Sequence, residues 1–600
     1  MLHQRSRTEA SCAAVVRTAR GIVEDVGPSA ASKSQGLLDI AQRSEKNAER
    51  DCHQVLAKKY HLALPIARTM LDTGDAGWQI PILSIRDWAQ YLIDSNHSHM
   101  LVGLLRPDWK REAAILKAFW GLYELHEPNH PIFTKARLGM LNLSQTYPML
   151  LHGDEGRGRK RTAFLVMSWY GLLGRGLKVH GQSKKPGQYL KMRPNYHGST
   201  LTSRFLFASL PKVLYTHKNA SVFDALLERT AQDAEFMMNT GIKDGVAGRG
   251  QFHMVLLHVV GDWPWLTDSG RLTRSFRNVP KHVSRKKPPT GVCHWCQAGQ
   301  PGCDFEQVNS YNPKWLETMF TQSVSDPAAA PSPLLRIAHP PGKEASLFMW
   351  DLFHTWHLGV AKAFLSSAVA LLSDLEDAGG IDDRFSSLTD KYMTFCKLHG
   401  RRPHVTRLSK ELLNWGTRNV YPNGSWHKAD LSTSLMTWFQ DLYLREGESW
   451  SPMLKLAGEA ALEANAFLGV LYNADAWLTL SEARSAATSC MKFLAQYASL
   501  ATMAMQQKQM LWTLQPKIHI LHHLGMYLWQ GFQRGHRTLN ILVFACQASE
   551  DFIGKPSRLA RRVTAKPEQT CQRVLSRYLE AAYAEWIKVG YIIRPQARSG

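Results

Sequence analysis

Apolar positions along the chain follow two regimes. Between residues 140 and 262 they gather into short continuous runs, Tyr147–Gly153, Thr162–Ser168, Arg204–Leu210 and Met254–Val260, each closed by polar or turn residues. Runs of this length, rich in Val, Leu and Met and without helical gaps, predict buried strands. Between the third and fourth runs, Ser221–Met238 repeats its apolar positions at helical spacing, with Asp224 near its start, and predicts a helix. Helical spacing also governs residues 78–140, where Trp78, Trp88, Trp109 and Trp120 read as core aromatics, and most of residues 405–535. Gly359–Leu372 is the longest apolar stretch, but Lys362 and two serines interrupt it, so it reads as a buried helix rather than a membrane span of about 18 residues or more. Residues 1–70 are polar, basic and rich in Ala and Ser, which predicts a loosely packed helical arm or a tail that orders on binding.

Three strands, a helix and a further strand is the order of a ribonuclease-H-like sheet, whose first and fourth strands lie side by side. Two of the runs end in a carboxylate: Tyr147–Gly153 in Asp154, and Met254–Val260 in Asp262. The predicted topology would bring these two acids together at one sheet edge, where groups stand clear of the packed interior on a rigid support. Asp262 has a second reading, as a cap on the turn that begins with Trp-Pro. Glu155 beside Asp154 leaves the choice of the first carboxylate open.

Charge adds a partner to this picture. The chain carries a net charge of +22 and a pI near 9.6, which favours a polyanion, nucleic acid ahead of a membrane. Arg271, Arg274, Arg277, Lys281, Arg285, Lys286 and Lys287 follow one another with no acid after Asp268, the pattern of a phosphate-neutralising groove. Cys293-His-Trp-Cys296 closes this segment with the two-residue gap that lets two thiolates reach one tetrahedral zinc; unligated thiols are the other reading. His519, His522 and His523 crowd one or two faces of a helix and could supply further zinc ligands, with Cys303 and His354 as rivals. Nine cysteines with one close pair suit a reducing compartment, and the N-terminus lacks the apolar core of a signal peptide. Asp351 stands where a helix N-cap belongs, with His354 and His357 on one face of the following turns. Finally, Glu550 is followed by Arg558, Arg561, Arg562 and Lys566, a third carboxylate embedded in positive charge.

Taken together these segments resemble the transposases of CACTA-type DNA transposons and their relatives in the CMC superfamily. GDWPWL with its following Cys pair resembles the family's second-aspartate block. Asp351-Leu-Phe-His354 resembles its Asp-x-x-His signature, and SEDFIGKPSRLARRVTAKPE its closing Glu block, with Pro556 as a departure from a continuous helix. LLHGDEG fits the first-aspartate strand by position and pattern. The resemblance implies an α/β plus all-α fold: a helical, basic N-terminal region (residues 1–140), the first part of a ribonuclease-H-like core (141–290), a zinc-binding, mostly helical insertion (291–535) and the core's final part (536–600). It implies catalysis by Asp154, Asp262 and Glu550 with Mg²⁺ or Mn²⁺. A Cys pair after the second Asp and a His pair before the Glu also resembles the zinc site in the catalytic core of the V(D)J recombinase, which implies a structural zinc on Cys293, Cys296, His519 and His523, with His522 an alternate. Three carboxylates in a basic groove independently call for cations, usually two ions about 4 Å apart that activate an oxygen for in-line attack on phosphorus. The implied partners are double-stranded DNA, gripped also by Arg558, Arg561 and Arg562, and further copies of the chain on that DNA. The implied location is the nucleus. A catalytically silent DNA-binding derivative, or a metal-dependent nuclease without strand transfer, are the competing readings.

Overall fold

A single mixed sheet forms the centre of the molecule, and its order follows from the runs above. The computed structural model describes residues 10–74, 79–175, 191–216, 219–245, 249–278, 290–377, 379–417, 419–563 and 566–593. Strands β1 (Thr146–Arg157), β2 (Ala163–Gly171), β3 (Phe205–Pro211), β4 (Ile242–Lys243) and β5 (Gln251–Val260) lie in the order β3-β2-β1-β5-β4. β1, β2 and β3 are antiparallel neighbours, whereas β5 enters on the other side of β1 and parallel to it, with Tyr147 opposite Met254 and His152 opposite Val260. The continuous apolar runs have their explanation here, because β1, β2, β3 and β5 are buried on both faces over most of their length. Helix α1 (Ala220–Asn239) connects the halves and packs on β5.

The outer edge of β5 is only partly filled. β4 pairs antiparallel with its beginning, and further along Phe348 forms a single parallel bridge to Val259, with Met349 N–H donating to Val259 O at 2.9 Å. The chain therefore returns to the sheet three residues before Asp351.

Helix α2 (Trp263–Gly270) leaves β5, and the Cys-pair segment follows it. A turn of wide, π-type winding over Phe353–Val360 leads into α3 (Ala361–Leu372), and α4 (Ala429–Glu446), α5 (Pro452–Asn473), α6 (Leu480–Gln506) and α7 (Pro516–Gln533) stack on one another in chain order. Local signals set these helices: Ser451 caps α5 before Pro452, and Thr479 with Glu482 forms a reciprocal capping box on α6. Phe353–Leu375 is, among the described residues, a helix long and apolar enough to cross a membrane, but 72% of its most apolar window is buried inside the protein. α8 (Gln547–Arg562) then returns to pack on β1, and α9 (Pro567–Lys588) packs on β3. α8 runs through Pro556 without ending, contrary to the interruption expected there.

The N-terminal region is better packed than its composition suggests. The helices between Cys12 and Lys59 share a small core of Cys12, Val16, Ile40, Cys52 and Leu56 and dock on α9, where Glu49 pairs with Arg577 and His53 Nδ1 lies 2.9 Å from Glu580. Residues beyond it belong to the main core: Trp88 and Trp120 are fully buried. Trp109 is not a core residue, being 58% exposed at the start of its helix, and Trp78 lies outside the described residues.

One close approach fixes α8 against the sheet. A Cβ on Gly156 of β1 would collide with Ser557 Oγ and come within 2.8 Å of Ile553 Cγ2. Gly156→Ala should therefore lower the urea midpoint by the equivalent of about 1–3 kcal/mol, the usual cost of overpacking, whereas Gly139→Ala, in open space, should lose stability only through its positive φ. Equal losses at both positions would mean that α8 is not seated against β1 as described.

Candidate functional site

The parallel pairing of β1 and β5 brings their ends together and, with them, two carboxylates. Asp154 follows His152 on β1 by two residues and so shares its face; Asp262 stands two residues beyond the partner of His152. Asp262 also caps α2, accepting Trp265 N–H at 2.9 Å on Oδ1, so the capping reading and the convergent reading both hold. Gly153 lets the rim close over them, since a Cβ there would lie 2.5 Å from the Trp265 ring. Glu155 lines the same cleft as Asp154 and Asp262 but is engaged by Lys212 Nζ at 3.1 Å and by the Tyr215 hydroxyl, which donates at 2.6 Å. The structure thus separates the two adjacent acids, and Asp154 is the one beside Asp262.

α8 delivers the third carboxylate. Glu550, in its first turn, comes close enough to Asp154 for the two acids to shift one another's proton affinity. Burial raises Glu550 to about 8 despite the nearby His354 cation, and the Asp154 and Asp351 charges push the same way. Burial and the neighbouring Asp154 lift Asp262 to about 6, and burial raises Asp154 as well. Three buried acids, raised first by desolvation and then by one another's charge, would be relieved by bound cations. That crowding of buried acids is the feature of these donors that fits divalent metal ions.

Asp351 organises the surroundings. It is 3% exposed and accepts four hydrogen bonds: from Phe353 N at 2.8 Å, His354 N at 2.9 Å, His354 Nδ1 at 2.5 Å and Cys546 N at 2.8 Å. The last of these bonds reaches the residue preceding α8. Burial opposes charge on His354, but the Asp351 hydrogen bond and the Asp351 and Glu550 charges outweigh it and raise the imidazole to about 9. Its Nε2 lies 3.7 Å from Glu550 Oε1. His152 approaches the same oxygen at 3.9 Å, but burial holds it down to about 3 and therefore neutral. Lys517, at the start of α7, donates to His354 O at 2.9 Å and Leu358 O at 3.4 Å, carbonyls belonging to the wide turn. Sequence reasoning missed His152 and Lys517; their positions two residues before Asp154 and two before His519 were the available signals. A cleft of about 720 Å³ opens beside Asp154 and Asp262, lined also by Lys212, Arg271 and Arg277.

A second cluster lies in the interior. Cys293, Cys296, His519 and His523 are all buried, and their ligand atoms lie within 4.8 Å of one another. Cys293 Sγ is 3.5 Å from His523 Nε2, and Cys296 Sγ is 3.4 Å from His519 Nε2 and 3.3 Å from His523 Nε2. Tetrahedral zinc with ordinary Zn–S and Zn–N bonds would place such S···N pairs about 3.6 Å apart, so the group can hold a metal with little rearrangement. Trp295 N and Ala298 N donate to the two sulfurs at 3.3 and 3.5 Å, which supports thiolate charge. Trp295, Trp315 and Trp350 wall the site off, with Trp315 and Trp350 ring centroids 3.8 and 4.6 Å from that of His523. Of the rival ligands, His522 turns to Ser310 O at 2.8 Å, His354 belongs to the carboxylates, and Cys303 is outside the tight group. Among the described residues the three catalytic candidates do not form an equally tight cluster.

The basic run needs correction. Arg274 is 5% exposed and gives its guanidinium to the carbonyls of Cys293, His294, Gln322 and Ser323, so it braces the Cys-pair loop and is closed to a phosphate. Arg271 pairs with Asp224 at 2.6 Å and Arg277 with Asp268 at 3.0 Å, although both still line the cleft. Lys281, Arg285, Lys286 and Lys287 lie outside the described residues. On α8, Arg558 is half-buried while Arg561 and Arg562 are exposed. No protein-family model and no curated protein matches the chain.

Metal analysis should find one tightly bound zinc that Cys296→Ser and His523→Ala lose while Cys303→Ala and His522→Ala retain it; retention by Cys296→Ser would dissolve the ligand set. A second outcome concerns pH. His354 is raised from 6.5 to about 9 and Glu550 from 4.5 to about 8, so the folded state holds these protons more tightly than the unfolded one. Their stabilisation is complete below each unfolded value and is lost as pH rises through the folded one. Without added divalent ions, the stability difference between wild type and His354→Gln should shrink between pH 6.5 and about 9; a difference that grows over that interval would contradict the Asp351–His354 ion pair.

Proposed function

We propose that the protein cuts and joins DNA strands by metal-dependent phosphodiester chemistry on a ribonuclease-H-like core, as the resemblance to CACTA-type transposases implies. The observation that carries this reading is the convergence of Asp154, Asp262 and Glu550 from two adjacent parallel strand ends and a returning helix. The strand order β3-β2-β1-β5, with only β5 parallel to β1, is that of the proposed core, and the short β4 and the Phe348 bridge occupy the place of a fifth strand.

Asp154, Asp262 and Glu550 would hold Mg²⁺ or Mn²⁺, which supplies charge stabilisation at the reacting phosphate and an activated oxygen nucleophile. The chain's own residues position and neutralise. Asp351 fixes where α8 begins and hence where Glu550 stands. His354, held cationic by Asp351, offsets part of the carboxylate repulsion from one side. Lys212, Arg271 and Arg277 line the cleft, each paired with an acid, Glu155, Asp224 and Asp268, that an entering phosphate would have to displace or share. No serine or cysteine nucleophile is required, because attack comes from a water or a DNA 3′-hydroxyl. The Cys/His cluster is read as a structural zinc, since all four positions are taken by buried protein ligands and none remains for substrate.

The test is divalent-dependent nicking of supercoiled plasmid and joining of a 3′-hydroxyl oligonucleotide to it. Asp154→Asn, Asp262→Asn and Glu550→Gln should each reduce both reactions by at least about 100-fold while retaining zinc and the unfolding midpoint. Nicking that survives all three changes would overturn the assignment, and nicking without joining would leave a nuclease.

A further inference from the structure

Beyond the carboxylates, β1 and α8 continue side by side. Gly156 of β1 packs on Ile553 and Ser557 of α8, and the turn after β1, Arg159–Arg161, packs on α8 as well. Both elements therefore leave the site in the same direction, one from Asp154 and the other from Glu550, and both end in positive charge. The turn carries Arg157, Arg159, Lys160 and Arg161, all exposed, and the last turn of α8 carries the exposed Arg561 and Arg562. Among the described residues none of these six is in an ion pair, unlike Arg271, Arg277 and Arg336, each of which has an acidic partner. From residue 156 to 163, and from 552 to 563, the sequence contains no acid at all.

The distances match. Five residues of strand separate Asp154 from Arg159, about 16 Å at ~3.3 Å each, and eleven residues of helix separate Glu550 from Arg561, also about 16 Å at ~1.5 Å each. Along duplex DNA, at ~3.4 Å per base pair, that is about five base pairs.

We propose that the β1–β2 turn and the end of α8 form one cationic ridge that grips the backbone of duplex DNA about five base pairs from the reacting phosphate. The ridge places phosphate-binding charge on the two elements that carry Asp154 and Glu550, so gripping the flank also sets the carboxylates against the strand. Its charges fit a regular row of phosphates, and exposed arginines without acidic neighbours carry no structural duty of their own. This assignment rests on the DNA-strand chemistry proposed above, but its test reads binding, which needs no catalysis.

Affinity for a 30-bp duplex of arbitrary sequence is measured by fluorescence anisotropy from about 50 to 200 mM salt, without added Mg²⁺ or Mn²⁺. One variant combines Arg159→Gln, Lys160→Asn and Arg161→Asn; asparagine suits the positive φ of Lys160 and Arg161 (53° and 61°). A second combines Arg561→Gln and Arg562→Gln, and a charge control combines Lys397→Gln and Arg402→Gln, exposed positions at and just beyond the end of the insertion helix Ile381–Leu398. The slope of log affinity against log salt should fall by about 0.9 for each phosphate that is no longer neutralised, hence by about 2 or more in the turn variant, with the control unchanged. On an end-labelled duplex the wild type should make few nicks within about four base pairs of one end, and the turn variant should lose that exclusion. An unchanged slope in both ridge variants, an equal fall in the control, or a loss of binding to anionic lipid vesicles but not to DNA would each overturn the ridge. A reduced slope in a chain that never nicks DNA would keep the ridge and remove the catalytic reading.

Discussion

Asp351 is the group on which the geometry of the candidate site depends. A buried carboxylate persists as an anion only when donors surround it, and Asp351 has three backbone N–H groups and one imidazole. Two of the N–H groups cap the wide turn on which His354 sits, and the third belongs to Cys546, at the threshold of α8. One side chain thus ties the beginning of the helical insertion to the helix that follows its end. Without it, His354 would lose its charge partner and the start of α8 an anchor, and both act on Glu550.

The Cys/His cluster repeats that connection at a larger scale. Cys293 and Cys296 follow the Asp262 strand, and His519 and His523 lie on the last insertion helix, with 223 to 230 residues between bonded partners. Joining ends so far apart closes a long loop, which costs chain entropy only logarithmically in its length, so a metal held by these four buried ligands would be enough to hold it. α7 carries Lys517 as well as the two histidines, and Lys517 reaches the carbonyls of His354 and Leu358 past Gly359, whose missing side chain leaves the path open. The Cys/His cluster and the carboxylates are therefore mechanically connected through one helix.

Much of this was legible in the chain. Continuous apolar runs identified the four long strands because both sheet faces are covered, and the same burial made the carboxylates at the ends of β1 and β5 conspicuous. The two-residue Cys spacing and the His519/His523 interval each offered half a ligand group, and it was the resemblance to a known zinc site that joined the two distant segments. What failed did so for physical reasons. Arg274 sits in a cationic run by sequence, but carbonyl oxygens of a tight loop satisfy a guanidinium as readily as phosphates do, and sequence does not show which acceptors surround it. Trp109 follows the helical period yet starts its helix, where the packed face has not begun. β4, two residues long, has no pattern to detect. The N-terminal helices bury small and short side chains such as Cys12, Ala19 and Cys52, which weigh little in any reading by hydrophobicity.

The distribution of charge explains why a basic chain can hold so acidic a centre. Asp154, Asp262, Asp351 and Glu550 converge where burial weakens solvent screening, and His354 is the cation drawn into that group. One imidazolium and the nearby Lys517 cannot balance four carboxylates, and burial first, with neighbouring carboxylates after it, raises the proton affinities of Asp154, Asp262 and Glu550. Outside, Arg271, Arg277 and Arg336 are matched with acids of their own surface, so the net excess of positive charge lies on other basic groups. Part of it stands on the β1–β2 turn and the end of α8, the two elements that carry Asp154 and Glu550. An anionic chain laid across the cleft would therefore meet attraction along its flank and repulsion at the carboxylates, and bound cations at that point would convert the repulsion into a grip on the phosphate.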